Sequence, residues 1–269
     1  MKVLMVGDIV GKPGIQIAIQ ALPGLRRKES LDLVIVNGEN ADSGSGITPS
    51  IYRKLVDTAG ADCITLGDHA FRKRDILETL DSKDNIVRPA NFAQDAPGRG
   101  HTILTRFGQK IAIVNLIGRV FMKPADCPFK CVDRILDSFD DDVNIILVDM
   151  HAEATSDMQL MGRYLDGRVS AVLGTHTHVP TADEQILPGG TAFQCDVGMT
   201  GPHESILGRV IENVVETTVT FRPKTFHVAQ NDVQLCGSIV EINEESGKAQ
   251  SIRRIRIDEE YACELEELD

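Results

Sequence analysis

Tryptophan is absent from this 269-residue chain, and aromatic residues make up only 4% of it. That argues against a surface that holds single strands by stacking base after base on rings. Long apolar runs are also missing. None approaches the roughly 20 residues that span a bilayer, so no membrane segment is expected. Cysteine is present but unorganised, at 63, 127, 131, 195, 236 and 263. Cys127-Pro-Phe-Lys-Cys131 has three intervening residues and no second pair of the metal-binding kind, so ordinary thiols are expected. Lys2 to Val6 runs straight into Gly7-Asp8, with no stretch that reads as a secretory leader. Reduced thiols and a cytoplasmic location follow as expectations. Positive charge is in short supply as well. The net charge is −12, and the final DEEYACELEELD carries seven acids and no base, which leaves the body at −5. A partner with many phosphates, such as duplex nucleic acid, is not expected. A small anionic substrate remains open if metal ions supply the positive charge.

There is no internal repeat, low-complexity tract or long Pro/Ser/Gly linker, so residues 1–269 are expected to form one domain, with 258–269 as an acidic tail. Short apolar runs alternate with helical patterns, the signature of an α/β protein. The runs are 2–6, 33–36, 62–66, 110–117, 144–148, 169–173 and 191–195, with helical patterns at 15–28, 49–60, 72–80 and 156–166. Residues 233–257 read as an antiparallel hairpin around Asn243 to Lys248. A mixed sheet or two stacked sheets is therefore expected rather than a purely parallel one. Residues 264–269 read as a short capping helix or a loose tail.

Chemistry-bearing residues follow five of these runs. Gly7-Asp8 follows the first, and Asn37-Gly38-Glu39-Asn40 the second. Gly67-Asp68-His69 comes third, Asp149-Met150-His151 fourth, and Gly174-Thr-His176-Thr-His178 fifth. In open α/β sheets the functional crevice lies beyond the carboxyl ends of strands. Taken singly, Asp8 or Asp68 reads as a turn former or helix cap, and an HxH is a weak metal pattern. In an extended backbone His176 and His178 would project to one side and aim at one point. Together, the set gathers three carboxylates, one amide and four of seven histidines. His101, His203 and His227 read as structural. Mixed oxygen and nitrogen ligation without thiolate suits Fe, Mn, Co or Zn, and two metals bridged by a carboxylate suit phosphoester cleavage.

Other motifs fail. Gly7 to Pro13 lacks P-loop spacing and has Pro13 where Ser or Thr is needed. Ser43-Gly44-Ser45-Gly46 reads as a flexible loop before a phosphate cradle, and no nucleophile elbow is present.

With these residues the chain resembles the calcineurin-like metallophosphoesterases, and more narrowly the YmdB-like family. VGDIVGKPG, VNGENA, TLGDHAF, VDMHAEATSD, GTHTHVPTAD and DVGMTGP carry the likeness across residues 6 to 202. The resemblance implies a four-layer α/β/β/α sandwich of two mixed sheets, the metallophosphoesterase fold. It implies a dinuclear phosphodiesterase that opens 2′,3′-cyclic nucleotides by attack of a metal-bridging hydroxide. Two divalent ions are implied, Fe or Mn before Zn or Co. Asp8, Asn40 and His178 would hold one, and Asp68, His151 and His176 the other. Glu39 would bridge them, and His69 would protonate the leaving oxygen. Glu153 and Asp183 are candidates for orienting ligand imidazoles. Arg119 and the Thr200-Gly201 turn are candidates for touching substrate. One departure is Asp68, where the family pattern has Asn. It lowers the site's charge by one, should either weaken phosphate attraction or favour a mixed Fe(III)/Fe(II) pair that restores the charge, and through a bond to His69 should raise the pKa of that imidazole. A broader phosphomonoesterase or phosphodiesterase, or a non-catalytic metal-binding regulator, are the alternatives. Retention of His69 argues against the regulator. A homo-oligomer is compatible with the sequence.

Overall fold

A computed structural model describes residues 1–267. Its strands are β1 Lys2–Val6, β2 Asp8–Ile9, β3 Leu33–Asn37, β4 Cys63–Thr65, β5 Ile86–Val87, β6 His101–Arg106 and β7 Gln109–Ile117. They continue with β8 Ile145–His151, β9 Ala171–Thr175, β10 Gln185–Ile186, β11 Ala192–Gln194, β12 Met199–Pro202, β13 Val233–Ile242 and β14 Ala249–Asp258. The α-helices are α1 Gly11–Glu29, α2 Pro49–Arg53, α3 Leu77–Ser82, α4 Pro128–Leu136, α5 Thr155–Leu165, α6 Ile211–Thr220 and α7 Glu259–Glu266.

The strands form two mixed sheets. One runs β2-β12-β13-β1-β3-β4-β5, with β14 on the free side of β13; the other runs β10-β11-β9-β8-β7-β6. In the first, β1, β3, β4 and β5 are parallel and β13 lies antiparallel to β1. In the second, β7, β8, β9 and β11 are parallel, with β6 and β10 antiparallel at the edges.

Strand periodicity explains the layering. β1 is apolar on both faces, as a doubly covered strand must be. Val3 and Met5 point into the seam between sheets, against Ile111, Ile113 and Leu147. Leu4 and Val6 point the other way, onto Ala18 and Leu22 of α1. On the far side, Val148 and Val172 meet Met158 and Met161 of α5. Helices, sheet, sheet and helices make the four-layer α/β/β/α sandwich. Residues 233–257 are the β13/β14 hairpin.

Several local expectations shift. The 49–60 helix starts as α2 and continues as a π-helical turn, Lys54–Thr58; the 72–80 helix starts as a 3₁₀ turn at Arg74–Ile76. In the tail, the Asp258 side chain accepts a hydrogen bond from Tyr261 N at 2.9 Å and caps α7. α7 then packs so closely on α1 that a Cβ at Gly24 would lie 2.0 Å from Leu265 O. Leu268 and Asp269 lie outside the described residues. No described helix is long and apolar enough to cross a membrane.

Candidate metal centre

The parallel strands of both sheets end at one rim, and the site is built there. β8 pairs in register with β9, setting His151 beside Thr175, one residue before His176. Glu39 sits two residues past β3 and Asp68 three residues past β4. The structure brings Asp8, Glu39, Asn40, Asp68, His69, His151, His176 and His178 together. Ligand atoms of Glu39, Asp68, His151 and His176 all lie within 4.8 Å of one another, a group able to hold a metal ion. Gly67 makes this approach feasible: a Cβ there would fall 2.2 Å from His151 Nε2 and 2.3 Å from Glu39 Oε2.

The two histidines of GTHTH do not aim at one point. Both leave the extended region, with φ of 104° at His176 and 64° at His178. His176 Nδ1 lies 3.0 Å from His151 Nε2 and 3.8 Å from Asp68 Oδ1. His178 Nε2 lies 3.9 Å from Asp8 Oδ1 and 3.1 Å from Asn40 Nδ2. Glu39 touches both sets, with Oε1 3.3 Å from His151 Nε2 and 3.1 Å from Asn40 Nδ2. Asp8 Oδ2 accepts from His176 N at 3.0 Å. Asp8 Oδ1 and Asp68 Oδ1 are buried without a hydrogen-bond partner among the described residues. Buried carboxylate oxygens seldom stay unpaired, and such oxygens beside imidazole nitrogens form a donor set that fits divalent cations.

Each of three imidazoles has its outer nitrogen tied to oxygen while the inner one faces the carboxylates, the arrangement that prepares a histidine to ligate. His151 Nδ1 donates to Thr175 Oγ1 at 2.9 Å, and Thr175 in turn donates to Asp149 Oδ1 at 2.7 Å. His176 Nε2 lies 3.2 Å from Glu153 Oε2, in the orienting role expected of that acid. His178 Nδ1 donates to Leu207 O at 3.2 Å. Asp196 holds the loop itself, accepting from Thr177 N, Thr177 Oγ1 and Gly198 N.

The electrostatics describe a cluster of acids short of positive charge. Burial pushes Asp8 up to about 7 and Asp196 up to about 8, the Asp8 charge adding to the effect on Asp196. His151 is raised well above its usual value: burial opposes its charge, but Glu39, Asp68 and Asp8 outweigh burial. Glu39 is lowered because that imidazolium overcomes burial. Burial and the His151 charge bring His176 down to about 4.

His69 Nδ1 donates to Asn40 Oδ1 at 2.7 Å, and its backbone N–H donates to Glu39 Oε2 at 3.1 Å. Its Nε2 is 3.6 Å from Asp68 Oδ2, too far for a hydrogen bond. The expected rise in its pKa does not occur, because burial lowers it more than Glu39 and Asp68 raise it. Asp68 is instead approached by Lys123 Nζ, 3.2 Å from its carbonyl and 3.5 Å from Oδ2.

The remaining residues singled out in the sequence lie as follows. Asp183 accepts from Cys195 N and touches no ligand imidazole. Thr200-Gly201 is strand, not turn, and Thr200 is fully buried against Cys236. Arg119 is exposed, and its backbone N–H bonds to Asp157. The Ser43 and Gly44 carbonyls are occupied by Arg209, so that loop is pinned. His203 bonds to Met199 O, and His101 packs edge-on against Phe139. All six cysteines are free. Sequence reasoning named Asp149 after its apolar run without giving it a role and passed over Asp196, although both stand in the quoted VDMHAEATSD and DVGMTGP. Arg209 carried no signal. A cavity of about 350 Å³ opens over the cluster, and its lining includes His69, His176 and His178 together with Leu207, Val214 and Phe226.

The chain is similar to several known proteins. A 2′,3′-cyclic-nucleotide 2′-phosphodiesterase of Bacillus subtilis is 43% identical over 97% of this chain and 98% of its own length. The crystal structure of a novel phosphatase of Mycoplasma pneumoniae superposes with a TM-score of 0.90 at 34% identity, covering 96% of this chain and 93% of that one. The calcineurin-like phosphoesterase YfkN of Bacillus subtilis shares the fold alone, with a TM-score of 0.56 at 12% identity over 96% of this chain and 90% of that one. A family model described as YmdB-like protein matches residues 4–255, and the chain belongs to that family, built on the fold of the calcineurin-like phosphoesterases.

Proposed function

We propose that the chain is a metal-dependent phosphodiesterase that opens 2′,3′-cyclic nucleotides, working in the cytoplasm as a single domain. The observation that carries this reading is the pair of unpartnered buried oxygens, Asp8 Oδ1 and Asp68 Oδ1, each beside a different histidine group with Glu39 between them. Asp8, Asn40 and His178 would hold one divalent cation and Asp68, His151 and His176 the other, with Glu39 shared. Fe or Mn suits the donors best, and Zn or Co also fits. Cations held by these residues would supply Lewis acidity toward phosphoryl oxygens and would lower the pKa of water toward neutrality.

The chain's own groups supply the rest. Asn40 turns Nδ2 toward Glu39 and His178, and Oδ1 toward His69. His69 Nδ1 donates to Asn40 Oδ1, which leaves Nε2 to carry the proton that the imidazolium form would pass to the departing ribose oxygen. Lys123, beside Asp68, restores part of the charge that the extra carboxylate removes. Leu207, Val214 and Phe226 line the cavity and would give a nucleobase an apolar surface.

The test is hydrolysis of 2′,3′-cyclic AMP, 3′,5′-cyclic AMP and bis-p-nitrophenyl phosphate by purified protein, with and without Mn²⁺ or Fe²⁺. Preference for the 2′,3′ ring, lost in both Glu39→Ala and His69→Ala, supports the reading. Hydrolysis of monoesters in preference to any diester would replace it with a phosphatase. Full metal occupancy with no turnover would replace it with a regulator.

A further inference from the structure

The cavity over the ligands holds one group that the metal chemistry leaves unused. Arg209 lines it, and no other arginine or lysine is found among the described residues of its lining. Three backbone carbonyls fix the guanidinium. Nη1 donates to Ser43 O at 2.9 Å and to Phe226 O at 3.0 Å, and Nη2 donates to Gly44 O. Gly44 lets the side chain lie that close, since a Cβ there would fall 2.5 Å from Arg209 Cζ. The cation is therefore held ready on the loop that follows Glu39 and Asn40.

A guanidinium carries five N–H donors in one plane. The carbonyls take three of them. Nε–H and the second Nη2–H have no hydrogen-bond partner among the described residues. A rigid planar cation with two unspent donors on adjacent nitrogens suits a ligand that offers two acceptors side by side. The surroundings decide which ligand. Leu207, Val214 and Phe226 line the same cavity, and a flat, largely apolar body packs on such groups where a bare phosphate does not. The phosphoryl group has its own place at the metal ligands. Arg209 bonds to backbone alone, and to none of Asp8, Glu39 or Asp68.

We propose that Arg209 reads the nucleobase of the substrate and selects guanine, donating from Nε and Nη2 to its O6 and N7. The inference rests on the cyclic-nucleotide reading of this site and adds the base to it. Guanine presents two adjacent acceptors on that edge. Adenine has an amino group beside N7, which would set donor against donor. Cytosine offers an amino donor there, and uracil a single oxygen. Leu207, Val214 and Phe226 cover the rings of all four bases alike, so the choice falls to the arginine. Pairing of this kind discriminates between bases by about 10-fold or more.

The test is kcat/KM of the metal-loaded protein on the four 2′,3′-cyclic mononucleotides. Guanosine should exceed the other three by about 10-fold or more. Inosine 2′,3′-cyclic phosphate, which keeps O6 and N7, should match guanosine, and the 7-deaza analogue of guanosine should fall toward adenosine. Arg209→Met should bring the guanosine-to-adenosine ratio close to one. Gly44→Ala, which crowds the guanidinium aside without removing it, should do the same. General damage to the cavity would slow both substrates and leave their ratio unchanged. Equal rates on all four bases, or a ratio unmoved by both substitutions, overturns the proposal while the phosphodiesterase reading stands. A 5′-phosphate that raises kcat/KM on every base alike also overturns it, since Arg209 would then hold a second phosphate. Absence of turnover on every cyclic nucleotide defeats the phosphodiesterase reading instead. Calorimetric Kd values for guanosine and adenosine 3′-monophosphates then decide the base. Tighter binding of guanosine that is lost in Arg209→Met upholds the proposal, and equal binding overturns it.

Discussion

Replacing Gly67 with alanine should disable the site while leaving the fold. The added Cβ would lie 2.2 Å from His151 Nε2 and 2.3 Å from Glu39 Oε2. Ordinary contact is about 3.5 Å, so each group must retreat by more than 1 Å. Both side chains are fully buried and have little room to move. Overpacking of this kind costs about 1–3 kcal/mol, which a domain of this size survives. A displacement of about 1 Å at reacting groups costs on the order of 100-fold in rate. Gly67→Ala should therefore melt cooperatively at a modestly lower Tm, bind less metal, and lose about 100-fold or more in kcat/KM. Thermal denaturation, metal analysis of the purified variant and hydrolysis of bis-p-nitrophenyl phosphate read these separately. Full metal content with wild-type turnover would refute the claim that Glu39 and His151 converge on the reaction.

Other expectations are as direct. His69→Ala should lower kcat by about 10²–10⁴-fold with metal content intact; metal loss in that variant would reassign His69 as a ligand. Asp68→Asn raises the charge of the site by one and should change relative activity among Mn²⁺, Fe²⁺ and Zn²⁺; indifference in every metal would refute the charge argument. Asp196, raised by burial to about 8, keeps a proton in the folded state that the unfolded chain releases near pH 4. Its contribution to the metal-free protein is present at low pH and fades as pH rises from about 4 to 8, at up to about 1.4 kcal/mol per pH unit. Asp196→Asn should start less stable at pH 5, having lost an acceptor for the loop N–H groups. It should then close the gap to wild type as pH approaches 8. Parallel stability curves would contradict the assigned burial.

Much of this was legible in the chain because strands buried on both faces leave dense apolar runs, and ligands follow where those runs stop. Glu39, Asp68, His151, His176 and His178 were visible in that way. What stayed hidden depends on dihedrals and on contacts between distant segments. The HxH stretch reads as extended, yet positive φ at both histidines turns the imidazoles to different neighbours. Thr200 looked like part of a turn because glycine follows it, but pairing of β12 with β2 and β13 made it strand. Asp183 resembled an orienting acid by proximity in sequence. The acids that brace the site, Asp149 within β8 through Thr175 and Asp196 just past β11 through Thr177, reach their partners only once the sheets are packed. α6 could not be read as a helix because its β-branched composition argues for strand.

The most direct measurement is the number of metal ions bound per chain, read beside turnover of 2′,3′-cyclic AMP before and after chelation. Two ions per chain, with turnover lost on chelation and regained on adding Mn²⁺ or Fe²⁺, is the predicted result. Turnover that persists in a fully stripped protein would contradict the account.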